Sequence, residues 1–366
     1  MNITNEKVFI DYSCLFVLFF NCTPAFCVEK NDSQLIALSD IHSIALSVPS
    51  SFTITKDWHD ISITKTTPLY DLRNHIVAYC VDIRNNKSNS NAYIIINAYF
   101  SDHPILQYAP EAISPYFNTS NKAVYLLAGT YFSEIDGNIK NLITNEIVSK
   151  SKLLSDFSSV TWVNTNRMTP SYNDSSPAST LGYDTQEKIL TGVPNWQWTR
   201  GCTPTAVGMQ LANLYPSLNN TNTISLLADA YHTTSSGITY DGFVSSGTKK
   251  VIKNKNLGVP SYCDFTKTVC NIPRTGPTHN PYSTYRSEIN ANRAVVIGCL
   301  GASVTTPGYP NGFKDHSITG IGYSYQTAGG SSKYVIVYTT SKNDGKVYID
   351  IESGALGKYA WFIVRK

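Results

Sequence analysis

Cys202 is the residue of this 366-residue chain whose setting best suits nucleophilic chemistry. It stands in Gly201-Cys202-Thr203-Pro204-Thr205, directly before a nearly apolar run at residues 206–214. Apolar residues all round predict a buried helix that begins near the cysteine, with Thr203 or Thr205 capping its first amides. The positive end of a helix dipole favours the thiolate, which is the nucleophilic form. Buried cysteines often only pack, so partner groups must be found elsewhere.

Two residues at useful places could complete a site for acyl transfer. His316 opens the strand-like segment Asp315-His316-Ser317-Ile318-Thr319-Gly320 and could serve as general base. Gln197 stands five residues before Cys202, where its amide and the backbone N–H of Cys202 could stabilise an oxyanion. Each is ordinarily structural by itself, so the hypothesis depends on the three together.

The order of these motifs resembles that of papain-like cysteine peptidases. The motifs are a Gln, then Gly-Cys-x-Pro-Thr-Ala, then Asp-His-Ser-x-x-Gly-x-Gly-Tyr, and they look most like the bacterial branch of double-glycine, bacteriocin-processing peptidases. Residues 288–298 also resemble a segment of that branch and of streptopain. The resemblance covers roughly residues 191–366. It implies that Cys202 is the nucleophile, His316 the base and then the acid, and Gln197 the oxyanion donor.

The residue that orients the histidine departs from the family pattern. Such enzymes carry Asn or Asp at the end of the next strand, where this sequence has Thr339. A threonine hydroxyl accepts a hydrogen bond but stabilises an imidazolium less than a carboxylate does. Asn343 and Asp344 follow closely, in a string typical of a hairpin turn. Thr339, Asn343 and Asp344 therefore all stay open as the third member.

The elements around the site predict an α+β protein in two units. Residues 28–167 read as an antiparallel sheet with short helices and resemble, more loosely, the propeptide of streptopain-like secreted peptidases, which implies an inhibitory prodomain. Residues 168–190 are rich in Pro, Ser, Asn and Thr and predict an exposed, cleavable linker. Residues 191–366 place helices before an antiparallel sheet, as the papain-like catalytic domain requires. This unit is basic, with 16 Lys and Arg against 8 Asp and Glu, and the acidic first unit could dock on it.

The beginning of the chain and the cysteines indicate the compartment. Residues 1–27 read as a signal peptide, which predicts a secreted or cell-surface protein with no membrane attachment after cleavage. Five of the eight cysteines lie beyond it, and Cys263 and Cys270 could close a small disulfide loop. No metal-ligand spacing occurs, so we expect neither metal nor cofactor. Scattered basic residues argue against a nucleic-acid partner.

The sequence therefore predicts a secreted cysteine peptidase precursor that cleaves peptides or proteins and is restrained by its own prodomain. The same constellation would suit a papain-like amidase or transglutaminase. A catalytically dead surface or binding protein on the same scaffold is the further alternative, because Thr339 replaces the usual orienting residue.

Overall fold

The computed structural model describes residues 35–99, 104–126, 128–129, 131–156, 185–266, 281–300, 316–326, 333–340, 345–353, 356 and 358–366. The predicted signal peptide lies outside the described residues. So do most of the predicted linker and Cys270, Asn343 and Asp344.

The first half of the chain is a meander of strands flanked by helices. Helix α1 (Leu38–Ser47) is one-sided, burying Ile41 and Ala45, and two short 3₁₀ helices follow it at Pro49–Ser51 and Thr53–Thr55. The strands are β1 (Ile61–Tyr70), β2 (Ile76–Asn85), β3 (Asn91–Asn97), β4 (Ile105–Pro110), β5 (Lys122–Tyr125), β6 (Tyr131–Ile135), β7 (Asn138–Asn141) and β8 (Ile147–Ser149). Helix α2 (Lys150–Asp156) ends this part. Strands β2 and β3 are buried along most of their length, as their β-branched and aromatic content predicts.

The second half carries its helices before most of its strands. The elements are β9 (Thr185–Ile189), α3 (Cys202–Leu214), α4 (Asn222–Ala230), α5 (Asp241–Asn254), β10 (Tyr262–Phe265), α6 (Pro281–Asn290), β11 (Val295–Leu300), β12 (His316–Gln326), β13 (Lys333–Tyr338), β14 (Val347–Asp350) and β15 (Lys358–Arg365). The predicted α+β class is confirmed. The predicted linker is too long at its end, because its residues 185–189 form a strand and Leu190 is buried.

All of these strands belong to one large, mostly antiparallel sheet. Its order is β10-β15-β11-β12-β13-β14-β4-β3-β2-β1-β5-β6-β7-β8, and β9 pairs with the distal part of β12. The two halves meet where β4 pairs with β14, with Tyr108 opposite Tyr348 and Gln107 opposite Ile349. The two units expected from the sequence thus share a sheet, and residues 34–366 form one compact unit.

The shared core lies over this junction. The ring of Phe52, from the first half, packs 4.9 Å from that of Tyr108, 5.1 Å from that of Tyr334 and 4.8 Å from that of Tyr348. A second core lies between the helices α3–α5 and the sheet, and it includes Ala206, Val207, Leu211, Tyr231, Val244, Ile252, Val296 and Phe362. Within the described residues, no helix is both long and apolar enough to cross a membrane.

Candidate active site

Cys202 is the first residue of helix α3, as the sequence predicts. Gly201 precedes it with φ 143°, and a Cβ there would lie 2.8 Å from the carbonyl oxygen of Gly237, so glycine suits this position. Cys202 is half-buried, whereas Thr203 and the rest of the helix are almost wholly buried. The thiol therefore sits where a buried helix reaches the surface.

The predicted threonine caps are wrong. Neither Thr203 nor Thr205 caps the helix with its side chain. The Thr205 hydroxyl donates to the Gly201 carbonyl at 2.7 Å, and the Thr203 hydroxyl shares a buried 2.9 Å hydrogen bond with that of Ser317. The first turn is thus fixed to strand β12 rather than to its own amides.

The contact between Thr203 and Ser317 brings the mouth of α3 to the start of β12. Each of the two residues directly follows a predicted catalytic residue, Cys202 in one element and His316 in the other. A second bond along the same interface runs from the Thr319 hydroxyl to the Ala206 carbonyl at 3.0 Å. Two polar contacts about one turn apart fix helix α3, which begins at Cys202, against strand β12, which begins at His316.

The imidazole of His316 is anchored through Nε2, which lies 3.1 Å from the main-chain oxygen of Thr339. A carbonyl oxygen only accepts hydrogen bonds, so Nε2 carries the proton and Nδ1 is the basic nitrogen of the neutral ring. Thr339 is fully buried. Of the three residues left open for this role, Thr339 contacts His316 through its main-chain oxygen, and Asn343 and Asp344 lie outside the described residues.

Gln197 lies on a segment fixed to the same place. The N–H of the next residue, Trp198, donates to the Thr340 carbonyl at 2.9 Å. Thr340 has φ 68°, an uncommon conformation for a β-branched residue and one that the surrounding contacts must maintain. Gln197 itself is exposed. The pair 339–340 thus touches both His316 and the segment that carries Gln197.

A turn from the first half of the chain also reaches His316. Gly129 has φ 76°, and a Cβ built on it would lie 3.3 Å from Cδ2 and 3.6 Å from Nε2 of the imidazole. Its N–H donates to Oε1 of Gln107 at 3.3 Å. Sequence reasoning did not find either residue. The available signal was a glutamine in the otherwise apolar or aromatic strand β4.

No protein-family model, curated protein or solved structure matches the chain.

The other cysteines differ from Cys202 in their surroundings. Cys80 and Cys263 are buried free thiols. Burial raises the pKa of Cys263 to about 12. The possible disulfide between Cys263 and Cys270 stays a prediction, because Cys270 lies outside the described residues. Among the residues that the structure describes, no group of three or more His, Cys, Asp or Glu is placed to hold a metal ion.

Proposed function

We propose that the chain is a cysteine peptidase whose second half is papain-like. The observation that carries the proposal is the buried bond between Thr203 and Ser317, because it holds the start of helix α3 against the start of strand β12, the elements that carry Cys202 and His316. A half-buried cysteine at a helix start and a histidine at the start of the adjoining strand are the residue types that thiol-dependent acyl transfer needs.

In the proposed reaction, the Cys202 thiol gives its proton to Nδ1 of His316, and the resulting thiolate attacks a peptide carbonyl carbon. The Gln197 amide and the N–H of Cys202 stabilise the oxyanion. As the carbon–nitrogen bond breaks, His316 protonates the leaving amine and a thioester remains. His316 then takes a proton from water, which attacks the thioester and releases the acid and the free thiol.

The contact between Thr339 and His316 supports an active enzyme over a dead scaffold. Papain-like enzymes that use Asn orient the histidine with an amide oxygen, and a main-chain carbonyl is also an amide oxygen. The same type of acceptor therefore lies at Nε2, 3.1 Å away, although it comes from the backbone. A neutral acceptor fixes the ring but stabilises the imidazolium less than a carboxylate would.

Secretion, the signal peptide and an inhibitory role for residues 28–167 accompany this proposal as predictions from the sequence. Peptide or protein substrates follow from the same resemblance. An amidase or a transglutaminase would share the thioester and differ in the group that receives the acyl chain.

The test is the reactivity of Cys202 in the full chain, measured by iodoacetamide labelling and mass mapping from pH 4 to 9. We expect Cys202 to react well below pH 8, where ordinary thiols are protonated, and His316→Ala to abolish this. Cys263→Ala, which removes a buried free thiol elsewhere, is the matched control and should change nothing.

The substrate is tested with fluorogenic peptides, with and without an amine acceptor. Peptide hydrolysis that is lost in Cys202→Ala supports the peptidase, and transfer to the amine in place of hydrolysis would assign a transglutaminase. If Cys202 alkylates no faster than a free thiol and Cys202→Ala changes no activity, the chain is not a cysteine-dependent enzyme.

A further inference from the structure

The imidazole of His316 is contacted along one edge by both halves of the chain. The Thr339 carbonyl lies at Nε2, and Gly129 is so close that a Cβ built on it would lie 3.3 Å from Cδ2 and 3.6 Å from Nε2. Nδ1, the nitrogen that takes the proton from Cys202, is across the ring from this edge. In the proposed reaction Nδ1 faces the thiol, so the Gly129 turn lies at the opposite edge of the ring.

Gly129 is held by a buried hydrogen-bond network. Nε2 of Gln107 donates to the hydroxyls of Tyr93 at 2.8 Å and Tyr131 at 2.6 Å, and these hydroxyls lie 2.8 Å from each other. Its Oε1 accepts the N–H of Gly129. Gln107 and both tyrosines are fully buried. A buried amide whose two N–H groups and oxygen all have partners has one stable orientation, which fixes the Gly129 turn.

The same network is fixed relative to the second half of the chain. Gln107 lies on β4, directly opposite Ile349 of β14, where the two halves of the sheet join. Strand β14 in turn pairs with β13, whose end leads to Thr339. Both groups behind His316 are therefore positioned through one continuous sheet.

We propose that Gly129 and Gln107 are positioning residues for His316, so that the first half of the chain forms part of the peptidase site. This rests on the proposed function. Gly129 lies next to the ring edge at which Thr339 bonds Nε2, and Gln107 keeps Gly129 in place. A turn fixed at that edge limits rotation of the ring and keeps it in the tautomer and orientation that the reaction needs.

The proposal predicts a change in activity opposite to the one that an inhibitory prodomain predicts. If the first half only blocked the site, loosening the Gly129 turn would raise activity. If it supports the histidine, the same change lowers activity, because small displacements of a catalytic group are costly.

The experiment uses the full chain with Gly129→Ala and, separately, Gln107→Leu. The first places a methyl group against the imidazole, and the second removes the three bonds of the amide. Thr55→Val is the matched control, since it removes a buried hydroxyl of the same half that bonds Tyr108 and Pro49 and contacts neither Gly129 nor Gln107. Urea unfolding shows which variants are folded, and Tyr93→Phe, a milder change in the network, replaces Gln107→Leu if that variant is not.

Three readouts separate positioning from general stability: kcat and KM for peptide cleavage, the pH profile of Cys202 alkylation, and the ¹⁵N shifts of His316. We expect Gly129→Ala and Gln107→Leu to lower kcat by about tenfold or more with KM changed less than about threefold. The alkylation profile should move to higher pH, and the Nε2-protonated tautomer should lose population. Thr55→Val should keep all three.

A higher kcat or faster alkylation in either variant would overturn the proposal and assign an inhibitory role to the turn. If kcat, the alkylation profile and the ¹⁵N shifts of both variants equal those of the wild type, Gly129 and Gln107 do not position His316 and the proposal is wrong. If even the wild-type chain neither cleaves peptides nor alkylates faster than a free thiol, the proposed function fails. The ¹⁵N shifts then still decide whether Gly129 and Gln107 hold the ring.

Discussion

Asp82 offers a test of the fold that is independent of any activity. It lies on β2 with 3% of its surface exposed. Its Oδ1 accepts the N–H of Ser114 at 3.1 Å, whereas Oδ2 is buried with no hydrogen-bond partner within the described residues. Burial raises the pKa of Asp82 to about 7, against the smaller opposing effects of the Ser114 N–H and Lys65. The carboxyl is therefore neutral in the folded protein under mildly acidic conditions.

The stability of the protein should fall as the pH rises through this range. The usual pKa of an aspartate in an unfolded chain is about 3.9. Between that value and about 7, the folded state binds more protons at Asp82 than the unfolded state, so the free energy of unfolding decreases with pH. The shift is about 3 units, and each unit is about 1.4 kcal/mol, which gives a loss of about 4 kcal/mol. The contribution is fully present below pH 4 and gone above pH 7 to 8.

Asp82→Asn removes the ionisation and keeps an oxygen for the Ser114 N–H. Burying the N–H₂ group of the asparagine lowers the free energy of unfolding by an amount that does not vary with pH. The difference in unfolding free energy, variant minus wild type, should therefore rise by about 4 kcal/mol between pH 4 and pH 8. Urea titrations followed by tryptophan fluorescence at five pH values measure it.

The matched control is Asp57→Asn, an exposed aspartate of the same half. Its pH dependence is the baseline for replacing an exposed aspartate by asparagine. If the Asp82→Asn difference departs from that baseline by less than about 1 kcal/mol between pH 4 and pH 8, burial does not control the protonation of Asp82 and the reasoning is refuted.

Two further substitutions test the second half. The Glu288 carboxylate is 1% exposed and accepts hydrogen bonds from Arg293 at 2.6 Å and from Arg365 at 3.0 Å. Because both arginines are partly exposed, Glu288→Gln should lower the free energy of unfolding by about 2 kcal/mol, measured by urea titration at pH 7. An unchanged midpoint would show that the pairs contribute nothing. Thr203→Val and Ser317→Ala should each cost about 1 kcal/mol, with the double variant less destabilised than the sum. Additive losses would contradict the bond between them.

The local parts of the site follow from the sequence. Apolar residues on every side of 206–214 predict a buried helix, and that helix does begin at Cys202. The β-branched and aromatic segment after His316 predicts a strand, and β12 does begin there. In both cases neighbouring residues determine the element, so a short window of sequence is sufficient.

The contacts that complete the site could not be predicted, because they depend on distant parts of the chain. A main-chain carbonyl such as that of Thr339 has no signature in residue type. Gly129 lies near His316 in a sheet in which β4 pairs with β14, and strand pairing at long range leaves no local pattern. Strand β9 is short and largely polar, so its composition resembles that of a loop. The prediction that Thr203 caps the helix was wrong for a similar reason, because its hydroxyl bonds Ser317 of another element.

The pairing of β4 with β14 also has a consequence for biosynthesis. Strand β4 can pair along this edge only after Tyr348, roughly 240 residues after Tyr108, has been synthesised. At ribosomal speeds this interval is on the order of tens of seconds. During it the nascent chain presents an unpaired, apolar strand edge, which is a template for aggregation. We therefore expect yield in a cell to depend on chaperones that shield β4 until residues 347–350 emerge.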